Sequence, residues 1–392
     1  MNRWAVLFLF SPLFSLGQSA RQLHEAAIVV DTHNDVLSTA TMRGLNIEND
    51  LSGKTHSDIA RFRKGGVDVQ VFSIFCDERF GKDTAFKYAN IEIDSLYAIV
   101  RRNRSRMIMA SNPQQLQQAV KQKKMACMLG VEGGHMIEDR LDYLDSFYKR
   151  GVRYMTLTWN NSTSWATSAW DETKRKDSLT HIGLTDFGRQ VVGRMNQLGM
   201  LVDLSHVGEK TFYDAIAITR RPVIVSHSCV HALCPVPRNL KDEQIKAVGK
   251  NGGVIHLNFY SGFLDSNYNQ RLQAFYVSHQ REQDSLTQLK WPAYEVEEWL
   301  LKTYATEAEA LRPSLSVLID HLDHIVRLIG VNHVGLGSDF DGISSAPREL
   351  NDVTDMPKIT EALLKRGYNT KDIRKILGGN FLRVFSANQQ KL

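Results

Sequence analysis

The stretch Ala27-Ile28-Val29-Val30-Asp31-Thr32-His33-Asn34-Asp35 is a short apolar run that ends in residues able to bind a metal ion. Four later apolar runs end in the same way, at Glu132, His206, His227 and Asp339. The carboxyl ends of the strands of a (β/α)8 barrel meet on one face, so donors placed there can build a single site. The sequence therefore predicts an α/β protein with a TIM-type (β/α)8 barrel, and an enzyme.

Alternation of apolar and amphipathic segments supports this fold. The apolar runs are nearly continuous, as in parallel strands covered on both faces, and each precedes a segment of helical periodicity. The predicted strands are 27–32, 67–75, 125–131, 154–158, 201–205, 223–226, 253–259 and 334–337. The predicted helices include 88–102, 185–198, 210–219, 242–250, 314–329, 358–365 and 370–376.

A long segment, 261–312, interrupts the rhythm between the seventh and eighth strands. An insertion there would lie above the mouth of the barrel, which makes a lid or a dimer contact a hypothesis. A helical decoration of the surface is the alternative.

Composition excludes some classes of protein. The net charge of the 392 residues is only +5 and the basic residues are scattered, so a nucleic-acid-binding protein is not indicated. The four cysteines are too few for a disulfide scaffold and lack C-x-x-C spacing, which predicts buried thiols at Cys76, Cys127, Cys229 and Cys234.

Residues 1–20 have the layout of a secretory signal peptide. Arg3 precedes an apolar stretch over 4–16, and small and polar residues follow at 17–20. We therefore expect export to the periplasm or the extracellular space and one mature domain over 21–392, without a stable membrane anchor. An uncleaved N-terminal anchor is the alternative.

The metal-binding residue types also suggest how they would be used. Residues i and i+2 of a strand point the same way, so His33 and Asp35 can face one ion. His206 and His227 could hold a second ion and Glu132 could bridge the two, about 3.5–4 Å apart. Imidazole with carboxylate suits zinc, and iron, cobalt or manganese are alternatives. A single histidine after a strand is more often a polar core residue, so the prediction depends on the joint pattern. Histidines elsewhere are predicted to lie on the surface: His24, His56, His181, His279, His321 and His324.

Six motifs resemble those of the membrane (renal) dipeptidase family of zinc metallopeptidases, on an amidohydrolase-type barrel, and the resemblance runs from about residue 28 to 385. They are Val30-Asp31-Thr32-His33-Asn34-Asp35, Gly130-Val131-Glu132-Gly133-Gly134-His135, Leu204-Ser205-His206-Val207, Val225-Ser226-His227-Ser228, Arg238-Asn239-Leu240 and Gly337-Ser338-Asp339-Phe340-Asp341-Gly342.

The resemblance implies two Zn²⁺ ions per chain, with His33 and Asp35 on one, His206 and His227 on the other, and Glu132 between them. It implies that Asp339 moves the proton between an attacking, metal-bridging hydroxide and the leaving amine. Arg238 would bind the carboxylate of a free dipeptide, since a guanidinium pairs with both oxygens. Tyr260 is a further candidate for that end of the substrate. Dipeptides with a C-terminal D-residue are among the expected substrates. Because the family's membrane enzymes form dimers, a homodimer is a hypothesis.

One position departs from the family. Its eukaryotic members carry a histidine after Thr-Leu-Thr, whereas here Thr156-Leu157-Thr158 is followed by Trp159 and Asn160. In the family this histidine helps to stabilise the oxyanion or the carbonyl of the substrate. Here Trp159 or Asn160 could substitute for it in binding the substrate, or zinc alone could support the oxyanion. An indole donates one hydrogen bond but cannot become positively charged.

Three functions remain open at this point. The first is a zinc dipeptidase. The second is a hydrolase of a β-lactam, lactone or other cyclic amide at the same site. The third is a non-catalytic binding protein of the same fold, which the presence of all five ligand residues and Asp339 disfavours.

Overall fold

A parallel sheet curved into a barrel organises the molecule. The computed structural model describes residues 13–389. Within them eight strands follow one another in the order β1-β2-β4-β5-β6-β7-β8-β9, every neighbouring pair is parallel, and β3 pairs with β4 outside this ring. The strands are β1 Val30–Asn34, β2 Val69–Ile74, β3 Met107–Met109, β4 Met125–Glu132, β5 Val152–Thr156, β6 Leu201–Asp203, β7 Ile224–Ser228, β8 Val254–Leu257 and β9 Val334–Leu336.

Helices occupy most of the connections between strands. They are α1 Leu13–Ala26, α2 Val36–Met42, α3 Ile59–Lys64, α4 Ala85–Arg102, α5 Pro113–Lys121, α6 Leu141–Lys149, α7 Ala169–Lys174, α8 Asp186–Leu198, α9 Glu209–Ile218, α10 Asp242–Asn251, α11 Ser261–Leu264, α12 Tyr268–Ser278, α13 Gln280–Gln288, α14 Ala293–Thr303, α15 Ala305–Leu311, α16 Leu315–Ile329, α17 Met356–Lys365, α18 Thr370–Arg374 and α19 Asn380–Gln389.

The first and last strands meet at their carboxyl ends, which nearly closes the barrel. Asn34 forms a parallel bridge with Phe340, and the Asp35 N–H donates to the Phe340 carbonyl at 2.9 Å. The predicted (β/α)8 fold is confirmed. The predicted strands overlap the eight barrel strands, with ends that differ by a few residues.

Two apolar layers hold the barrel together. The interior layer joins residues near the amino ends of the strands, such as Val69 and Ile224, to Phe381 and Phe385 of α19. The C-terminal helix therefore plugs the end of the barrel opposite the carboxyl ends of the strands. In the outer layer the helices pack on the sheet. For example, α16 buries Leu318 and Leu322. Burial of each leucine stabilises the folded state by about 1.5–3 kcal/mol.

The insertion predicted between the seventh and eighth barrel strands is present as α11 to α15. Its helices form their own small apolar cluster, which includes Tyr268, Leu272 and Leu300. The insertion is therefore a packed helical unit attached to the barrel.

Residues 1–12 of the expected signal peptide lie outside the described residues, and α1 runs across the expected boundary at residue 20. None of the helices within residues 13–389 is both long and apolar enough to cross a membrane.

Several expectations need correction or addition. Strand β3 was not predicted, because three apolar residues that pair only with β4 give too short a pattern. His24, His279 and His321 are buried, not on the surface. His24 contacts the Gly65 carbonyl and the Thr360 hydroxyl, so it links α1 to the body of the protein. The four cysteines are buried free thiols, as predicted.

Candidate metal centre and substrate cavity

The predicted donor residues lie together at the carboxyl ends of the barrel strands. His33 and His227 lie within β1 and β7, and Glu132 is the last residue of β4. Asp35, His206 and Asp339 follow β1, β6 and β9 by one to three residues. Because all of these strands are parallel, their ends converge on one buried cluster.

Glu132 lies at the centre of this cluster and uses its two oxygens differently. Its Oε2 is 3.3 Å from His33 Nε2. Its Oε1 is 3.0 Å from His206 Nε2 and 3.4 Å from His227 Nε2. One oxygen of Glu132 therefore faces His33 and the other faces His206 and His227, as in a bridging ligand, while the rings of His33 and His227 stack with centroids 3.8 Å apart.

Two further carboxylates lie on the His33 side. Asp35 Oδ2 is 3.3 Å from His33 Nε2, and Asp339 Oδ1 is 3.9 Å from the same nitrogen. A Cβ atom at Gly342 would lie 2.4 Å from Asp35 Oδ2 and 2.5 Å from Asp339 Oδ1, so only glycine leaves room for both carboxylates.

Hydrogen bonds fix the tautomer of two histidines. The Tyr154 hydroxyl donates to the Thr32 carbonyl at 3.1 Å, so it accepts from His33 Nδ1 at 2.8 Å. The Ser226 hydroxyl donates to Asp203 at 2.6 Å, so it accepts from His227 Nδ1 at 2.7 Å. Each ring therefore carries a hydrogen on Nδ1 and turns Nε2 towards Glu132.

The third histidine has the same arrangement. His206 Nδ1 lies 3.0 Å from the amide oxygen Oδ1 of Asn160, which can only accept a hydrogen bond. Burial lowers the pKa of His206 to about 4 and that of His227 well below its ordinary value, so both rings are neutral.

These lone pairs provide a test of whether a cation fits the site. His206 Nε2 and His227 Nε2 lie 2.9 Å apart with no hydrogen left to share between them. His33 Nε2 and Asp35 Oδ1 are buried and have no hydrogen-bond partner. Unpaired lone pairs at this density are costly unless a positive charge binds them, and the set of imidazole and carboxylate donors is the one zinc prefers. The residues present fit divalent ions.

Backbone strain coincides with the cluster. His206, Asp339 and Asp341 have positive φ angles of 63°, 59° and 70°. Residues other than glycine rarely adopt this conformation, and it recurs at functional sites where the surrounding structure holds it. Here this backbone conformation directs the His206 and Asp339 side chains back over the end of the barrel.

Asp339 is held from a second direction. Asn258 Nδ2 donates to Asp339 Oδ2 at 2.7 Å, while Asn258 Oδ1 accepts from the Tyr260 N–H at 2.6 Å. The amide thereby has a fixed orientation, and Asp339 Oδ1 remains on the side of the histidines. Burial, followed by repulsion from Asp35, raises the pKa of Asp339 well above its ordinary value.

A cavity of about 450 Å³ opens above the cluster. It is large enough for a small ligand. Its lining includes Asp35, Glu132, His206 and Asp339 together with all four predicted substrate-binding residues, Arg238, Tyr260, Trp159 and Asn160.

Arg238 is half-buried in this lining. Nη2 donates to the His227 carbonyl at 3.1 Å, and Nε is buried without a partner. A surface salt bridge, the structural alternative for this residue, does not occur among the described residues. Its charge is therefore available to a ligand in the cavity.

Aromatic rings form two walls of the cavity. Trp159 packs on Phe75 with ring centroids 4.9 Å apart, and Tyr260 packs on Phe263 at the same centroid distance. Among the described residues that line the cavity, Phe263 is the one that belongs to the insertion. Trp159 therefore shapes the cavity, whereas the Asn160 side chain reaches past it to His206.

Sequence reasoning missed four residues that support the cluster. Ser73 donates to Glu132 Oε2 at 3.2 Å, and Tyr154, Asn258 and Asp203 make the contacts described above. A Cβ atom at Gly130 would lie 2.1 Å from the Tyr154 ring, so this glycine makes room for the ring beneath His33. Polar residues inside otherwise apolar runs, such as Ser73, were the available signal.

Comparison with known proteins gives similar relatives over nearly the whole chain. The family model "Membrane dipeptidase (Peptidase family M19)" matches residues 17–391. The chain is 32% identical over 386 residues to Dipeptidase 3 of Mus musculus, a match that covers 96% of this chain and 67% of that protein. The chain thus spans about two thirds of the length of this relative.

Solved structures agree. The dipeptidase AC, a metallopeptidase of family M19, is 25% identical with a TM-score of 0.75, and the match covers 92% of this chain and 98% of that one. The probable dipeptidase PvdM from Pseudomonas aeruginosa has a TM-score of 0.79 at 24% identity over 97% of this chain and 100% of that one, which shows a shared fold.

Proposed function

The chain belongs to the membrane dipeptidase family and is a metallo-dipeptidase, and on this premise we propose that it is a zinc enzyme that hydrolyses free dipeptides. The proposal includes dipeptides with a D-residue at the C-terminus. The observation that carries it is the set of three imidazole rings whose Nε2 lone pairs face the two oxygens of Glu132.

The proposed ligands divide into two groups. His33 and Asp35 would hold one ion, His206 and His227 the other, and Glu132 would bridge them. Two zinc ions bound here would supply Lewis acidity for the scissile carbonyl and lower the pKa of a bridging water to give a hydroxide nucleophile. The protein contributes fixed tautomers and a dry floor, since Tyr154 and Ser226 beneath the rings are buried.

Asp339 is the proposed proton carrier. Because Asn258 occupies Oδ2, the oxygen free to take a proton from the attacking water and pass it to the leaving amine is Oδ1. The raised pKa of Asp339 suits a group that must both accept and release a proton. Its strained backbone keeps this oxygen above the cluster.

Arg238 is the proposed ligand of the substrate carboxylate. It lies in the wall of the same cavity, its Nε has no partner in the protein, and it holds the His227 carbonyl, which fixes its distance from the cluster. A free carboxylate placed there puts the adjacent peptide bond next to the metal ligands. This arrangement selects dipeptides over longer peptides, whose next residue would meet the guanidinium.

Export is a separate proposal that rests on the leader-like residues 1–20. The N-terminal sequence of the protein recovered from cells tests it: a start near residue 21 supports cleavage of a signal peptide, and a start at Met1 contradicts it.

An assay of substrate panels tests the proposed function. Protein of measured zinc content is given L-L and L-D dipeptides, their C-terminal amides and a tripeptide, with and without a chelator. We expect fast turnover of the free dipeptides and much slower turnover of their amides and of the tripeptide, with activity lost in the presence of the chelator and restored by zinc. Equal turnover of the amides, or of a β-lactam in preference to dipeptides, would refute the dipeptidase assignment.

A further inference from the structure

The three histidines of the cluster differ in what holds their Nδ1 atoms. For His33 and His227 the acceptors are the hydroxyls of Tyr154 and Ser226, which are almost completely buried. For His206 the acceptor is the side chain of Asn160, which is exposed. The support of His33 thus lies entirely within the barrel, whereas the pair His206 and His227 depends on one buried support and on one residue in contact with solvent.

The segment from Asn160 to Ala169, the first residue of α7, contacts His206 at two points. Asn160 Oδ1 lies 3.0 Å from His206 Nδ1, and the Ala169 N–H donates to the His206 carbonyl at 2.8 Å. The Ser168 hydroxyl donates to the Asn160 carbonyl at 2.7 Å and so joins the two ends of the loop. This contact positions the Asn160 amide against a histidine whose own backbone is strained at a φ of 63°.

The chemistry at Nδ1 requires an acceptor. A neutral imidazole that binds a metal through Nε2 carries its hydrogen on Nδ1, and a carbonyl or carboxylate oxygen there fixes the ring and raises its basicity. Asn160 provides such an oxygen. The neighbouring Trp159 could not, because an indole only donates, and its ring packs on Phe75 instead.

We propose that Asn160 is a positioning residue for His206 and sets the affinity of the ion held by His206 and His227. Because one of the two histidines on that ion has an exposed support, whereas the histidine on the other ion, His33, has a buried one, the ion next to His206 leaves first when zinc is withdrawn. The inference rests on the proposed zinc site and assigns to Asn160 a role in metal binding in place of direct contact with substrate.

Zinc binding, measured without substrate, tests the inference. Full-length protein is titrated with a chelator of known affinity while bound zinc is counted, and crystals taken at partial removal show by anomalous scattering which ion remains. In the wild-type protein the ion next to His206 should be lost first. Loss of carboxylate or amide support at a ligand histidine typically weakens metal binding about 10–100-fold.

Four variants separate the outcomes. Asn160→Ala should lower the affinity for one zinc ion about 10–100-fold and leave the affinity for the other unchanged. Asn160→Asp keeps a hydrogen-bond acceptor, so it should bind that ion as tightly as the wild type or more tightly. Asn161→Ala, the matched control on the same loop, should bind like the wild type. Tyr154→Phe should instead lower the affinity for the ion next to His33.

Three results would overturn the inference. Asn160→Ala with wild-type affinity at both ions would refute it while leaving the proposed function intact. Simultaneous loss of both ions in Asn160→Ala would make the residue a general structural support. Wild-type protein that binds no second zinc ion would refute the proposed function itself, and the inference with it.

Discussion

Replacement of Arg238 by methionine tests how the cavity recognises a free dipeptide. The guanidinium lines the cavity, donates once to the His227 carbonyl and leaves Nε without a partner. A substrate carboxylate would receive two charge-assisted hydrogen bonds, each worth about 1.5–3 kcal/mol. At about 1.4 kcal/mol per factor of ten, their loss lowers kcat/KM by roughly 10²–10⁴.

The assay compares two substrates in two proteins. Values of kcat/KM are measured for a dipeptide and for its C-terminal amide, with wild-type protein and with Arg238→Met. The wild type should prefer the free dipeptide by the full factor, whereas the variant should treat both alike. Zinc content is measured in parallel, because Arg238 also contacts the His227 carbonyl.

The amide supplies the internal control, since it cannot use the charge of Arg238. Its turnover should be nearly the same in both proteins. If Arg238→Met lowered the turnover of both substrates equally, or still preferred the free dipeptide by a factor of 100 or so, a different group would bind the carboxylate and the reasoning would fail.

Three further predictions concern the proton carrier, its support and the stability of the fold. Asp339→Asn keeps the shape of the side chain but cannot carry a proton, so zinc content should stay normal while kcat falls about 10²–10⁴-fold; unchanged turnover would reassign the proton transfer. Asn258→Leu removes the hydrogen bond to Asp339 Oδ2, so kcat should fall roughly 10–100-fold with little change in KM; an effect on KM alone would contradict the positioning role. Burial raises the pKa of Asp68 to about 6, although the Val29 N–H opposes the shift. Its unfolded pKa is about 3.9, so the folded state binds this proton more tightly, and the stability it provides is complete below about pH 4 and lost as the pH rises through about 6. As the pH rises from 4 to 8, the free energy of unfolding of Asp68→Asn should therefore increase by up to about 3 kcal/mol relative to that of the wild type. Denaturant-induced unfolding measured across this pH range tests it, and a constant difference in the free energy of unfolding between the two proteins would refute it.

The donor residues could be placed from sequence because of the geometry of parallel strands. Glu132 and His227 come from strands far apart in the chain, yet both follow the same rule that a strand's carboxyl end faces the mouth of the barrel. Apolar runs mark the strands, so a metal-binding residue type at the end of a run can be recognised as a candidate ligand. Little else was required to predict the cluster.

The residues behind the donors could not be placed in this way. The contact of Tyr154 with His33 joins β5 to β1 across the interior, and it depends on the space left at Gly130. Asn258 looks from sequence like any polar residue after a strand, and its role follows only from its distance to Asp339. Such contacts depend on the register and closure of the barrel, which apolar periodicity does not encode.

The burial of individual histidines could not be predicted from the sequence either. His321 lies on an amphipathic helix, but its two ring nitrogens contact the Val230 N–H and the Leu264 carbonyl. Both partners belong to distant segments that fold over α16. Helical periodicity identifies the side of the helix that faces the barrel and not the loops that later cover its flank.

Anomalous scattering at the zinc absorption edge, from crystals grown with zinc, tests most directly whether Glu132 bridges two ions. We expect two peaks about 3.5–4 Å apart, one beside His33 and Asp35 and one beside His206 and His227, with one oxygen of Glu132 directed at each. A single peak, or two peaks that Glu132 does not touch, would contradict the account.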